Sequence, residues 1–197
     1  MGWEREQMTD FGRDLDAALE GSKPIARDDV LRWIETATDL TTLSKLYRVT
    51  GEHYYRIHPE LGKDAECTAI QRYLLECIRQ NVQGDDPIED RWEAAETLHL
   101  WFRQLVEMGD AAEVLGRAAQ AIKELFLNSG EEIRTAIEQG FLEHAFESVA
   151  IRPFFESWSS GPQLREPWDR ALEWGKAHQD RSWSAMQRIL EIQNRDS

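Results

Sequence analysis

Apolar residues recur along this chain at three- and four-residue steps. Ala111, Val114, Leu115, Ala118, Ile122, Leu125 and Phe126 form one such row, the mark of a helix with a single buried face. Ile88, Trp92, Ala95, His99, Phe102 and Val106 form a second, and Ile70, Tyr73, Leu74, Cys77 and Ile78 a third. No stretch alternates apolar and polar positions with β-branched residues, so no sheet is expected.

Turn residues set the boundaries. A first helix over about 9–20 stops at Gly21 and Pro24, and a second covers about 26–37. Asp39 can cap a third over about 39–57, with Leu40, Leu43, Tyr47, Tyr54 and Ile57 on its buried face. Gly51 weakens that helix, and His58-Pro59 closes it because the residue before proline avoids helical geometry. A fourth covers about 60–82, and the loop Gly84-Asp85-Asp86-Pro87 leads into a fifth over about 88–108. Asp110 caps the sixth, and Ser129-Gly130 precedes a seventh over about 131–148. Pro153 fits the first turn of a short segment at about 152–158, and two further helices are expected over about 164–178 and 182–194.

Helices this long joined by short loops favour antiparallel neighbours. The fold expected is all-α, a single domain of about eight to ten helices in antiparallel hairpins. Residues 1–38 form N-terminal helices, 39–150 acidic hairpins and 151–197 a Trp-rich end. The two hairpins at 39–82 and 88–128 start 49 residues apart, near the spacing of helical repeats, but they share no residue pattern. A closed bundle and a short irregular solenoid both fit.

Composition adds the charge. Of 197 residues, 23 are Lys or Arg and 37 Asp or Glu, a net of −14. Residues 51–150 hold 20 acids and 9 bases, whereas 151–197 hold 7 of each, so the negative field comes from the middle of the chain. Phosphate backbones and anionic membrane surfaces repel such a chain, so neither nucleic acid nor a membrane is an expected partner. Mutual repulsion favours a monomer when free. Arg outnumbers Lys 18 to 5, which suits bidentate bracing between helices.

No segment is long and apolar enough for a membrane span, and Met1-Gly2-Trp3-Glu4-Arg5-Glu6 carries acids where a signal peptide needs an apolar run. Glu6 also breaks the myristoylation pattern. Cys67 and Cys77 lie ten positions apart on one helix, about 15 Å and beyond disulfide reach. They read as apolar core in a reducing compartment, which places the protein in the cytoplasm.

Catalytic signatures are scarce. The chain contains no glycine-rich phosphate loop, H-E-x-x-H, G-x-S-x-G or C-x-x-C. Glu96 and His99 share a helix face at the spacing used in di-iron bundles, but no second Glu-x-x-His accompanies them. No cofactor is expected, and these two are the only candidate metal ligands.

Two features suit a protein partner. One is the acidic run Asp85, Asp86, Glu89, Asp90 and Glu93, which continues to Glu96 and would attract a basic surface. The other is the aromatic tract Phe154, Phe155, Trp158, Trp168 and Trp174, whose residue types anchor interfaces as readily as they seal cores. The reading that follows is a non-catalytic protein-binding module, an adaptor or an inhibitor of immunity type acting on a basic protein. The alternatives are a helical-bundle metalloprotein or enzyme centred on Glu96 and His99, and a self-associating scaffold subunit.

Overall fold

The computed structural model describes residues 3–81, 90–109 and 111–178, with side chains from residue 11 onward. The structure is 78% helical with almost no strand, so the chain is all-α as its periodicity requires. Packing divides it into two compact units, Met1–Arg91 and Trp92–Ser197, and the acidic stretch 39–150 is shared between them. The loop 84–87, the cap Asp110 and the helix over 182–194 lie outside the described residues.

The first unit holds α1 (Trp3–Glu20), α2 (Arg27–Thr36), α3 (Leu40–Glu52) and α4 (Lys63–Gln80). α1 starts well before residue 9, because Glu4, Arg5, Gln7 and Met8 are good helix formers. α3 packs along α4 and α1, and α2 lies on α4. Leu43, Leu46, Val49, Leu74 and Ile78 fill the space between them, and Tyr47 stacks on Tyr73 with ring centroids 4.4 Å apart. Asp39 caps α3 as its sequence position suggests, its Oδ1 accepting the Thr42 backbone N–H at 2.9 Å. Asn81 ends α4 in the left-handed region (φ 51°).

Two expectations change here. First, α3 ends at Glu52 rather than near residue 57, with His53 leaving the helical region and Tyr54–Arg56 forming one 3₁₀ turn. That break shifts the helical phase, so Tyr54 leaves the buried face and is 66% exposed. Second, a minimal sheet exists. β1 (Ile25–Ala26) pairs in parallel with β2 (Ile57–His58), Ile25 opposite Ile57. Two residues per strand are too few for alternation to register in the sequence.

The second unit holds α5 (Arg91–Met108), α6 (Ala112–Leu127), α7 (Glu131–Thr135), a π-helical stretch Ala136–Leu142, α8 (Glu143–Ala145) and a 3₁₀ turn Arg152–Trp158. The last described helix, α9, covers 165–178. Phe102 on α5 is central to the core, with Phe141, Phe154 and Phe155 within 5.5–5.7 Å of its ring. The buried face of α5 is Ala94, Ala95, Leu98, His99, Phe102 and Leu105. Trp92 was expected on that face but sits 48% exposed. Its ring lies along Gly140, where an added Cβ would come 3.5 Å from the indole.

The helix expected over 131–148 is interrupted by the π stretch. Wider turns present more of the circumference to the core, and six of its seven residues, all but Gln139, are buried.

Arginines close the helix ends. The last carbonyls of a helix have no partner within it, and they form its negative pole. Arg56 donates to the carbonyls of Ala18, within the last turn of α1, and Lys23, just beyond it. Arg72 donates to Ile34 and Ala37 at the end of α2, and Arg91 to Ile78 near the end of α4. Arg134 donates to Phe126 and Leu127 at the end of α6, and Arg152 to Phe146 just after α8. Bracing between elements by arginine is thus present, with backbone carbonyls as the acceptors in these five cases. Among the described residues, no helix is long and apolar enough to cross a membrane.

Candidate functional site

In the first unit, the break after α3 opens a cleft of about 470 Å³. Its floor is Thr50, Ile57 and Leu61, all buried. The Thr50 hydroxyl is spent on its own helix, 3.1 Å from the carbonyls of Leu46 and Tyr47. Tyr54, Tyr55, His58, Glu60, Lys63 and Glu66 also line it. Tyr54 and Tyr55 are 66% and 64% exposed and meet edge to face at 6.0 Å. Arg56, between this pair and β2, turns inward to α1 and is 8% exposed. Tyrosine faces and carboxylates together suit a cation, since a ring face carries partial negative charge.

The second unit gathers titratable groups round the π stretch. Glu138 is buried there and holds Arg170 of α9 through two hydrogen bonds, from Nε and from Nη2, the latter at 2.8 Å. Arg170 also pairs with Glu166. Donating to Glu138 holds the guanidinium charged, raising its pKa above the ordinary value. Burial raises the Glu143 carboxyl pKa, and the nearby charge of Glu138 adds to it. His99 faces His144 with ring centroids 5.7 Å apart, and His144 Nδ1 lies 3.4 Å from Glu147 Oε1. Burial lowers the His99 pKa, and His144 lowers it further. His144 also meets Trp174 edge-on at 6.4 Å, and Trp174 stacks on His178 at 4.0 Å.

Glu96 and His99 lie three positions apart on α5. His99 is buried and turned toward His144, while Glu96 is exposed. Among the described residues, no three of His, Cys, Asp and Glu converge in a way that could hold a metal ion. Cys67 and Cys77 are both buried on α4.

The residues expected to meet a partner are dispersed. Asp85, Asp86 and Glu89 lie outside the described residues. Asp90 is half-buried just before α5, and Glu93 is exposed on its first turn. In the aromatic tract, Trp158 is 1% exposed and packs on Phe126 at 5.0 Å, so it offers no surface to a partner. Phe155 is likewise fully buried. Phe154 and Trp168 are half-buried against Phe102 and Phe146. Trp174 keeps 38% of its surface exposed.

The cleft at 50–66 was missed because Tyr54 sits in phase with the apolar face of α3. The available signal was Tyr54-Tyr55 lying between Gly51 and His58-Pro59, two breakers close enough to end a helix. The Glu138–Arg170 pair spans 32 positions and has no local signature beyond an acid inside the run Ala136, Ile137, Phe141, Leu142.

No family model, curated protein or solved structure matches this chain.

Proposed function

We propose that this chain is a non-catalytic protein-binding module whose partner presents a basic surface. The observation that carries this reading is the unequal use of the two signs of charge. Arg56, Arg72, Arg91, Arg134 and Arg152 direct their guanidinium groups at backbone carbonyls. Their charge is drawn toward helix ends, while Glu60, Glu93, Glu96 and Glu113 lie exposed. These exposed carboxylates belong to the stretch 51–150, whose sequence carries a net of −11. Such a field speeds encounter with a positively charged protein and selects against acidic ones. Exposed Tyr54 and Tyr55 in the first unit and Trp92 in the second belong to this acidic stretch of sequence and supply the apolar anchors that charge alone lacks.

Affinity capture from the native host, repeated at low and high salt, tests the proposal. A partner with a basic surface should be retained at roughly 50 mM salt and released near 500 mM, where screening shortens to a few ångströms. Retention that is equal at both concentrations, or capture of a second copy of this chain alone, overturns it.

A further inference from the structure

We infer that the cleft between α3 and α4 receives a lysine or arginine side chain presented by the partner, a docking role that rests on the function proposed above. Tyr54 and Tyr55 are adjacent and about two-thirds exposed, and among the described residues the second unit has no comparable pair. Tyrosine in a folded chain usually buries its ring, and two left uncovered side by side form an amphipathic anchor. The 3₁₀ turn at Tyr54–Arg56 fixes this arrangement, because it ends α3 and rotates both rings off the core.

Charge decides what the rings hold. Across residues 51–66 the acids are Glu52, Glu60, Asp64 and Glu66, and the bases are Arg56 and Lys63. Arg56 is buried and bonded to Ala18 and Lys23, so its charge faces away from the cleft. Glu52 is held by Arg48 at 3.2 Å and Asp64 is not part of the lining, which leaves Glu60 and Glu66 as the carboxylates lining the cleft. A cation entering the cleft meets two carboxylates and two tyrosine rings, against one resident lysine. An anion would meet the same carboxylates with the opposite sign. The cleft's volume of about 470 Å³ lies within the 300–1,000 Å³ common for sites that take small groups. Its buried floor of Ile57 and Leu61 suits the methylene stem of a long basic side chain.

The probe is a capped hexapeptide alternating Gly and Arg, compared with its Gly–Gln counterpart. Each is titrated into the full chain labelled with nitrogen-15. The arginine peptide should shift backbone amides at 54–55 and 60–66, and the glutamine peptide should not. The double variants Tyr54→Ala/Tyr55→Ala and Glu60→Gln/Glu66→Gln should each weaken the response roughly three- to tenfold. These side chains are at the surface, so an unchanged melting temperature confirms that the variants fold. Shifts confined to other helices, equal response to both peptides, or undiminished binding by the variants overturns the inference. If the tyrosine variant still captures a basic partner in a salt-dependent way, the cleft role fails while the proposed function stands. If the peptide binds at the cleft but no basic protein is ever captured, the proposed function fails and the cleft remains a basic-side-chain site.

Discussion

Arg56 donates from Nη1 to the carbonyl oxygen of Ala18 at 2.7 Å, joining a 3₁₀ turn to the last turn of α1 across 38 positions. The same guanidinium reaches the carbonyl of Lys23 from Nε and Nη2, at 3.1 and 2.9 Å. One side chain thereby satisfies two carbonyls near a helix end that have no partner in the helix ladder. It also fixes the strand β2, whose residue Ile57 follows directly.

Arg56→Met should cost about 3 kcal/mol of stability, since two carbonyls lose charge-assisted bonds in a place with little access to water. Arg56→Lys should fall between the two, because an ammonium cannot reproduce the planar fork. Thermal unfolding followed by circular dichroism ranks the three proteins. A lysine variant as stable as the wild type would show that charge alone matters at this position.

The helical order of the chain was legible because each helix repeats its apolar residues many times, so single errors average out. Leu43, Leu46 and Val49 are enough to mark α3 even though Tyr54 does not belong to it. What the pattern cannot carry is an event that occurs once. The π turn adds width without changing residue types, and the Glu138–Arg170 pair depends on α9 being brought back over the chain. The aromatic tract shows the same limit. Trp158 and Trp174 are chemically identical in the sequence, yet one is 1% and the other 38% exposed. Trp158 is covered in part by Phe126, a non-local contact that the local sequence does not signal.

Removing Arg170 should be more damaging than neutralising Glu138. The Glu138 side chain is 12% exposed and that of Arg170 49%, so the carboxylate is the member that cannot recover its hydration. Arg170→Ala leaves a buried negative charge without its partner and should cost about 2 kcal/mol, a figure reduced because the guanidinium is half in solvent. Glu138→Gln keeps the shape and one acceptor and should cost about 1 kcal/mol. Urea unfolding of both variants compares them. Equal or inverted costs would mean that the carboxylate reaches water by local opening.

Two groups in the second unit predict opposite dependences on pH. His99 has its pKa lowered from 6.5 by burial, then by His144 and Arg103, with Glu147 and Glu96 acting against them. As pH falls through 6.5, the unfolded chain takes up a proton that folded His99 refuses, so stability declines on acidification. His99→Phe should flatten that decline below about pH 6.5. Glu143 has its pKa raised from 4.5 by burial and by Glu138, with His144, Arg170 and His178 acting against them. As pH rises through 4.5, the unfolded chain releases a proton that folded Glu143 retains, so stability falls with rising pH until the folded group also ionises. Glu143→Gln should therefore leave stability at neutral pH unchanged or increased. Melting temperatures of the three proteins between about pH 4 and 8 measure both slopes. A decline on acidification that persists undiminished in His99→Phe would place its origin elsewhere.

Two glycines predict a graded cost of adding one methyl group. At Gly140 a Cβ would lie 2.8 Å from the Cβ of Ala95, a side-chain atom on the neighbouring α5. At Gly175 it would meet the carbonyl oxygen and carbon of Phe146, well inside van der Waals contact, and that carbonyl already accepts from Arg152. Alanine favours the helix over glycine by about 1 kcal/mol, which partly offsets either clash. A methyl against a methyl can be relieved by a small shift of α5, so Gly140→Ala should cost about 1 kcal/mol net. A methyl against backbone requires α9 to move off residues 146–147 and disturbs the Arg152 bond, so Gly175→Ala should cost about 3 kcal/mol. The displacement would also carry Trp174 away from His144, and Trp174 is the tryptophan of the aromatic tract most open to solvent. Thermal unfolding should therefore fall furthest for Gly175→Ala. A Gly175 variant as stable as the Gly140 variant would show that α9 packs less tightly on residues 146–147 than the close approach at Gly175 requires.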